Sequence, residues 1–503
     1  MMMAGIVIAA IVSFVRPENI FDEGFANVDG WRLLMGEVPY RDFWMIYGPG
    51  QPVMLALVFG FFWKSLIVSR SVHVLIQSAL LSVFFFTARR FALPVAAGFA
   101  TFAAALIASH DIYPSYAVIP ALLFSALACA ATAIRRVPHC GPKARFFIAG
   151  ICVGLAGVFR QDVGACIGLS LMFGYMLFGE NGQRWIALWL ISTRTAAIVL
   201  PVYGLLLAMI GPVELYDKLV AAPLLLGKLM HLPTPSLLPY PSPYDFRQWL
   251  LAWGILAIAL AFRIFGMLSR RLEPSLRRIS ISIAAFALLL GILSYHRFDG
   301  PHYAPAVMFT LLLVSFASAF PRLWGVQIRR AVFLFWSFIA LMLLLDYRAV
   351  PIAQAKSCLR LFDIQGYGIV TADRRQITRL VRSLDPDDRP IFVGVEGRHF
   401  YGNDIDFHGN DVMLYFLTGL RPGVKWHELN PGVVTRSDVQ AKMISVMNRN
   451  HVDLIVLTNT PGSNQKETDT LADRGSARLD QYISDHFHPI HKDKRYALMK
   501  RVR

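Results

Sequence analysis

A chain of 503 residues with 55% hydrophobic and only 16% charged side chains, and a mean hydropathy of +0.49, is too apolar for a water-soluble globular protein and is expected to use lipid as its solvent. Its apolar blocks lack the period-two alternation of an outer-membrane barrel, so the spans are expected to be helices that satisfy their own backbone polar groups. The net charge of +16 sits largely in short clusters between those blocks, such as Arg135-Arg136, Arg270-Arg271, Arg277-Arg278 and Arg329-Arg330, which reads as cytoplasmic anchoring rather than nucleic-acid binding.

Met1 to Val15 is a short apolar segment with neither a basic leader nor a small-residue cleavage site, and it reads as a retained first helix. A polar loop, 16–50, follows and opens on Asp22-Glu23. Its stretch from Phe25 to Met35 is partly amphipathic: Phe25, Val28, Leu33 and Leu34 are expected to lie on the membrane, with Asp29 and Arg32 facing water. The loop ends in Gly36-Glu-Val-Pro-Tyr-Arg-Asp-Phe43 and Tyr47-Gly-Pro-Gly50.

Continuous apolar runs at 51–69, 71–88, 91–109, 114–134, 146–160, 162–178, 185–211, 248–267, 279–295, 303–320 and 331–346 predict the remaining spans. Several fall short of the ~20 residues of a perpendicular span and are expected to be tilted or broken. The excess of Lys and Arg puts 135–145, 268–278 and 321–330 in the cytoplasm. The loop 212–247, the loop around His296 to His302, Arg160-Gln161-Asp162 and everything after Asp346 then lie on the opposite side. If 16–50 is also outside, the four runs between 51 and 134 cannot all cross and still leave Arg135 inside.

After Arg348 the composition becomes that of a soluble domain. Helical patterns at Arg374 to Leu384, Arg436 to Met447 and Leu479 to His486 alternate with strand-like Ile391 to Val395, Val452 to Leu457 and a last strand around Tyr496. The expected architecture is a membrane α-helical bundle of about 11–13 helices over 1–347, with external loops 16–50 and 212–247, and an extracytoplasmic α/β domain over 348–503. The five cysteines, Cys129, Cys140, Cys152, Cys166 and Cys358, form neither a disulfide framework nor a metal-binding spacing.

Carboxylates beside a bilayer are costly to keep, which makes Asp22, Glu23 and Asp42 candidates for chemistry. An inverting sugar transfer needs one carboxylate to accept the acceptor's proton as the anomeric carbon is attacked, and Asp22 fits that role. The bland alternative makes Asp22 a helix cap and Asp42 a partner of Arg41. Arg160, Arg297, His302 and Lys218 are candidate cations for a phosphate leaving group. Their alternative is ion pairing, Arg160 with Asp162 and Arg297 with Asp299, while snorkelling is the commoner explanation for Lys218 and Lys228. Tyr240, Tyr244 and Trp249, in and beside the Pro-rich segment 233–243, offer an aromatic wall for a sugar or a polyprenyl chain, with an interfacial aromatic belt as the commoner reading. His399, His408, Asp404, Asp406, Asn410 and Asp411 match no zinc or calcium spacing and read as a polar loop.

Asp22-Glu23 in the first loop, Gly36 to Phe43, Gly48-Pro-Gly50 and a polytopic body with a C-terminal external domain together resemble the GT-C superfamily. Within it the chain is similar to bacterial relatives of protein O-mannosyltransferases and of lipid A aminoarabinose transferases. The resemblance implies a glycosyltransferase, hexosyl or pentosyl, acting on a polyprenyl-phosphate-linked sugar at the outer face of the bacterial inner membrane, with an acceptor lipid, glycan or protein. It implies Asp22 as base, Glu23 as its neighbour and Asp42 as the rival. Arg160 stands where relatives often carry Lys after a Gly-rich segment, here Gly150 to Gly157, and the two side chains are not interchangeable. A divalent metal is compatible with this chemistry but not required by it. The alternative from another class is a transporter or flippase of lipid-linked sugars, which would be expected to show repeated halves; none is visible.

Overall fold

The computed structural model describes the chain apart from residues 134–142, 180, 230–272, 296, 298, 317–369, 386, 396–408, 459–475 and 503. The expected spans 248–267 and 331–346, the segment 233–243, Tyr240, Tyr244, Trp249, Cys140, Cys358, His399, Asp404, Asp406 and His408 lie outside the described residues.

The first helices are α1 (Met2–Val15), α2 (Asp22–Leu34), α3 (Gly50–Phe61), α4 (Leu66–Phe91), α5 (Pro94–Asp111) and α6 (Val118–Ala133). They are followed by α7 (Ala144–Phe159), α8 (Gln161–Phe178), α9 (Asn181–Ile210), α10 (Pro212–Tyr216), α11 (Ala222–Leu229), α12 (Pro274–Ser294) and α13 (Gly300–Ser315). A π-helical turn, Asp217–Ala221, joins α10 to α11. Among the described residues, four helices are long and apolar enough to cross a membrane: α4, α8, α9 and α12. The described residues fall into two compact units. One holds Met1–Val15, Arg70–Leu205 and the described part of 233–356; the other holds Arg16–Ser69, the described part of 206–232 and that of 357–503.

In the first unit, α5 is rich in alanine and buried along most of its length, which lets α1 and α13 pack against it. Phe309 meets Phe84 and Phe286 edge to face, with ring centroids 5.0 and 4.7 Å apart, a geometry that adds to simple area burial. Arg160 breaks the α7–α8 pair with an extended backbone. Just beyond the break the helices touch through glycine: a Cβ on Gly164 would sit 2.3 Å from the Gly157 Cα. The buried face of α4 carries Arg70, His73 and Gln77, at the spacing of one helix stripe. Arg70 Nη1 donates to the Phe14 carbonyl at 2.8 Å, Gln77 accepts from Ser13 at 2.9 Å, and His73 Nδ1 accepts the Ser115 amide at 3.2 Å.

In the second unit the C-terminal segment forms α14 (Ala372–Leu384), β1 (Phe392–Val395), α15 (Met413–Thr418), α16 (Ser437–Arg449), β2 (Leu454–Thr458), α17 (Arg478–His486), β3 (Phe487–Lys492) and β4 (Tyr496–Arg501). The strand order is β1-β2-β4-β3; β1 and β2 are parallel, while β4 runs antiparallel to both β2 and β3. Phe392, Ile455, Met443, Met447, Leu479, Ile483 and Phe487 share its apolar core with Val424 and Leu429.

The loop 16–69 groups with this sheet-bearing segment, and α2 shows why. Its reading as a surface helix is overturned for Asp29 and Arg32, both buried along with Phe25, Val28 and Trp31. Their charges find partners elsewhere in the unit. Leu34 alone of the expected membrane-facing residues is clearly exposed. A Cβ on Gly24 would lie 2.9 Å from the Met413 nitrogen, so α2 approaches α15 at a distance that only glycine allows, and the Met413 amide donates to Ile20 O at 3.3 Å. Trp44, Ala222 and Leu226 make a second apolar contact in this unit, joined by Trp426.

Candidate functional site

In the second unit the polar side chains converge on α2. Asp22 is its first residue and half-buried. Asn19 shapes the entry to the helix, accepting the Phe21 and Asp22 amides at 2.9 and 2.5 Å, while Glu23 reaches back to accept the Asn19 amide at 3.1 Å. This reciprocal arrangement resembles a capping box set just ahead of the helix, and it accounts for Glu23 as a fully buried structural carboxylate. Asp22 is left at the positive end of the helix, where an anionic side chain is favoured.

Behind Asp22 lies a cluster that no local sequence spacing announces. Arg32 donates through Nη1 to His427 Nδ1 at 3.2 Å and to the Val424 carbonyl at 3.2 Å, and it pairs with Glu37 at 2.6 Å. A guanidinium can only donate, so Nδ1 presents its lone pair and the neutral ring keeps its proton on Nε2. Nε2 lies 3.1 Å from Asp29 Oδ1, in contact with the carboxyl although not aligned as a hydrogen bond. Burial pushes Asp29 well above the usual carboxylate range, against the pull of Arg32, and burial with the neighbouring Arg32 charge holds His427 well below the usual imidazole value. Glu428 is raised as well, chiefly by burial and against the Asn430 hydrogen bond, with the neighbouring Asp29 and Asp22 carboxyls adding to the rise. Asn410 braces the cluster, donating to Val393 O and His427 O and accepting the Leu429 amide at 3.0, 2.8 and 3.1 Å.

A second buried network anchors the approach to Asp22. Arg374 on α14 bonds Glu18 and pairs with Asp411 at 2.6 Å, and the Tyr496 hydroxyl donates to Asp411 at 2.8 Å. Burial works against the guanidinium charge there, but Asp411 and Glu18 outweigh it and hold Arg374 above its usual value.

Asp42 stands in a different setting. It accepts the Val38 amide at 2.8 Å and pairs with exposed Arg41 at 2.8 Å; the Arg41 hydrogen bonds outweigh burial and lower its pKa. These are contacts that close the Gly36–Phe43 turn. Lys218 is buried and bonded to Asp217, with Glu214 at 3.4 Å, so two carboxylates already face its ammonium.

The other candidate cations belong to the first unit. Arg160 makes a two-pronged pair with Asp162, Nε to Oδ1 at 2.9 Å and Nη2 to Oδ2 at 2.5 Å, and its Nη1 donates to the Tyr116 hydroxyl at 3.0 Å. Arg297 pairs with Asp299 at 2.6 Å, and His302 bonds the other oxygen of the same carboxylate. Burial would raise Asp299, but His302 and Arg297 together hold it below the carboxylate range. Asp111 packs beside this turn, its Cβ 3.1 Å from where a Cβ of Gly300 would be. Among the described residues no group of three or more His, Cys, Asp or Glu is placed to hold a metal ion.

Comparison with known proteins places this architecture. No protein-family model matches the chain, and no curated protein matches it in sequence. The solved structure of ArnT from Cupriavidus metallidurans bound to undecaprenyl phosphate aligns over 100% of this chain and 97% of its own, at 15% identity and a TM-score of 0.59. The same enzyme in the apo state gives 14% identity and a TM-score of 0.59. The archaeal oligosaccharyltransferase AglB from Archaeoglobus fulgidus, in complex with an inhibitory peptide and a dolichol-phosphate, aligns over 91% of this chain and 69% of its own at 13% identity and a TM-score of 0.50. The chain shares its fold with these two membrane glycosyltransferases of known structure. The likeness to ArnT, a lipid A aminoarabinose transferase, spans the whole chain, and four of the described helices are long and apolar enough to cross a membrane.

Proposed function

We propose that this protein is an inverting glycosyltransferase of the bacterial inner membrane that moves a hexosyl or pentosyl group from a polyprenyl-phosphate carrier to an acceptor lipid, glycan or protein on the outer face. The C-terminal segment is assigned to the periplasm on the charge pattern of the loops. The observation that carries the reading is Asp22, partly exposed as the first residue of α2, where the helix dipole favours an anion, in a fold shared with an enzyme solved with undecaprenyl phosphate.

In this reading the acceptor's proton passes to the Asp22 carboxylate as the acceptor atom bonds the anomeric carbon. The bond from that carbon to the phosphate oxygen breaks with its electron pair, and the configuration inverts in the single displacement. Negative charge grows on the departing polyprenyl phosphate, and Arg160, Arg297 and His302 are assigned to it because Arg matches phosphate oxygens with paired N–H donors. Lys218 serves as an accessory cation. Glu23 holds the helix entry that presents Asp22.

The test is sugar transfer from a radiolabelled polyprenyl-phosphate sugar in membranes carrying Asp22→Asn. Loss of transfer by about 10²–10⁴-fold at normal protein level supports the reading; transfer at the unsubstituted rate overturns it.

A further inference from the structure

His73 reaches Arg160 through a strained turn. Ser115, a non-glycine residue, has φ of +63°, a left-handed conformation that a side chain makes costly and that persists only when its surroundings impose it. A contact that supports it comes from α4: His73 Nδ1 accepts the Ser115 amide at 3.2 Å, with both residues buried. The next residue, Tyr116, is 2% exposed, and its hydroxyl accepts from Arg160 Nη1 at 3.0 Å, with the guanidinium carbon 5.7 Å from the ring centroid. Asp162 holds the other edge of the guanidinium. Arg160 is therefore held locally by Asp162 and, through Tyr116 and the Ser115 turn, from the side of His73.

We propose that His73 is a positioning residue for donor recognition: by fixing the left-handed Ser115 turn it sets the Tyr116 hydroxyl that orients Arg160 toward a lipid-linked phosphate. The inference rests on the phosphate role given to Arg160 above. His73 touches no substrate in this scheme. Its buried place on an apolar helix is then a matter of geometry rather than of proton transfer.

The test uses the full-length protein in lipid nanodiscs, with undecaprenyl phosphate as probe and sugar transfer as second readout. His73→Ala is expected to weaken undecaprenyl phosphate binding and raise the donor KM about fivefold to tenfold, the worth of one or so hydrogen bonds, with kcat at saturating donor nearly unchanged. His73→Asn places an acceptor oxygen near the Nδ1 position and is expected to restore binding. Ser115→Gly, introduced with His73→Ala, is expected to recover part of it, because glycine adopts positive φ without the imposed contact. Tyr116→Phe removes only the hydroxyl, keeps the experiment decisive where His73→Ala fails to fold, and is expected to reproduce the weakened binding. Normal donor KM in Tyr116→Phe, or a kcat loss without a KM change in His73→Ala, overturns the relay. Arg160→Ala separates the two levels: if it leaves undecaprenyl phosphate binding intact, the phosphate assignment itself falls, whereas weakened binding there with normal binding in His73→Ala removes His73 alone.

Discussion

Arg32 donates a hydrogen bond to the Nδ1 atom of His427, joining side chains 395 residues apart in the chain. A helix next to the N-terminus and a loop of the C-terminal segment are thus parts of one polar core. The buried histidine also makes stability depend on acidity. His427 is neutral in the fold because burial and Arg32 disfavour its charged form, whereas in the unfolded chain it protonates near pH 6.5.

This contribution to stability is fully present above the unfolded-state pKa and is lost as pH falls below it, since only the unfolded state then gains the proton. Each pH unit below about 6.5 is expected to cost up to about 1.4 kcal/mol until the fold itself takes up the proton. Thermal unfolding of the detergent-solubilised protein from pH 7.5 to 5 measures the slope. His427→Gln should flatten it; an unchanged slope in that variant would assign the effect elsewhere.

The two candidate bases separate by substitution. Asp42 closes a turn through the Val38 amide and Arg41, so Asp42→Asn is expected to cost about 1 kcal/mol of stability and leave turnover within a few-fold. Asp22→Asn should instead remove turnover with the unfolding temperature preserved. Parallel transfer assays and melting curves decide, and the reverse pattern would exchange their roles.

Arg374 bridges two buried carboxylates, Glu18 and Asp411. Replacing it with Met leaves two carboxylates buried without it, which typically costs about 3–5 kcal/mol. Arg374→Met is expected to lower the unfolding temperature and the yield of folded protein far more than Glu18→Gln, as read by size-exclusion profiles and melting curves.

Gly164→Ala brings a methyl group to 2.3 Å from the Gly157 backbone, a clash that moving one side chain cannot relieve. Parting α7 from α8 is expected to cost about 1–3 kcal/mol and, because the displaced residues flank Arg160, to raise the donor KM with it. A variant with unaltered stability and KM would show that these helices have slack.

Much of the helical body was legible because apolar blocks of span length leave a helix as the only way to satisfy backbone groups in lipid. The break between 51–69 and 71–88 was not: the structure places it at 62–65, between α3 and α4, because Phe61, Phe62 and Trp63 are apolar yet exposed at a helix end. At about 1.5 Å per residue the 12-residue α3 is roughly 18 Å long, short of a ~30 Å hydrocarbon core. The strand β3 escaped notice because only Phe487 in it is buried and Pro489 interrupts its pattern. Asp22 could be singled out from its place after the first apolar segment, and Glu23 and Asp42 with it. The burial of Asp29, Arg32, His427 and Glu428 could not, since hydropathy along α2 carries no trace of a partner hundreds of residues away. The ion pairs of Arg160 and Arg297 followed from acids two positions downstream.

The separation between Arg32 and His427 also orders events during biosynthesis. The N-terminal loop leaves the ribosome early, yet the groups that bury Glu18, Asp29 and Arg32 are translated last, roughly 20–80 s later at ~5–20 residues per second. For that interval the nascent segment exposes an unfinished charged helix to proteases and chaperones, and a message truncated before codon 427 would leave it so permanently.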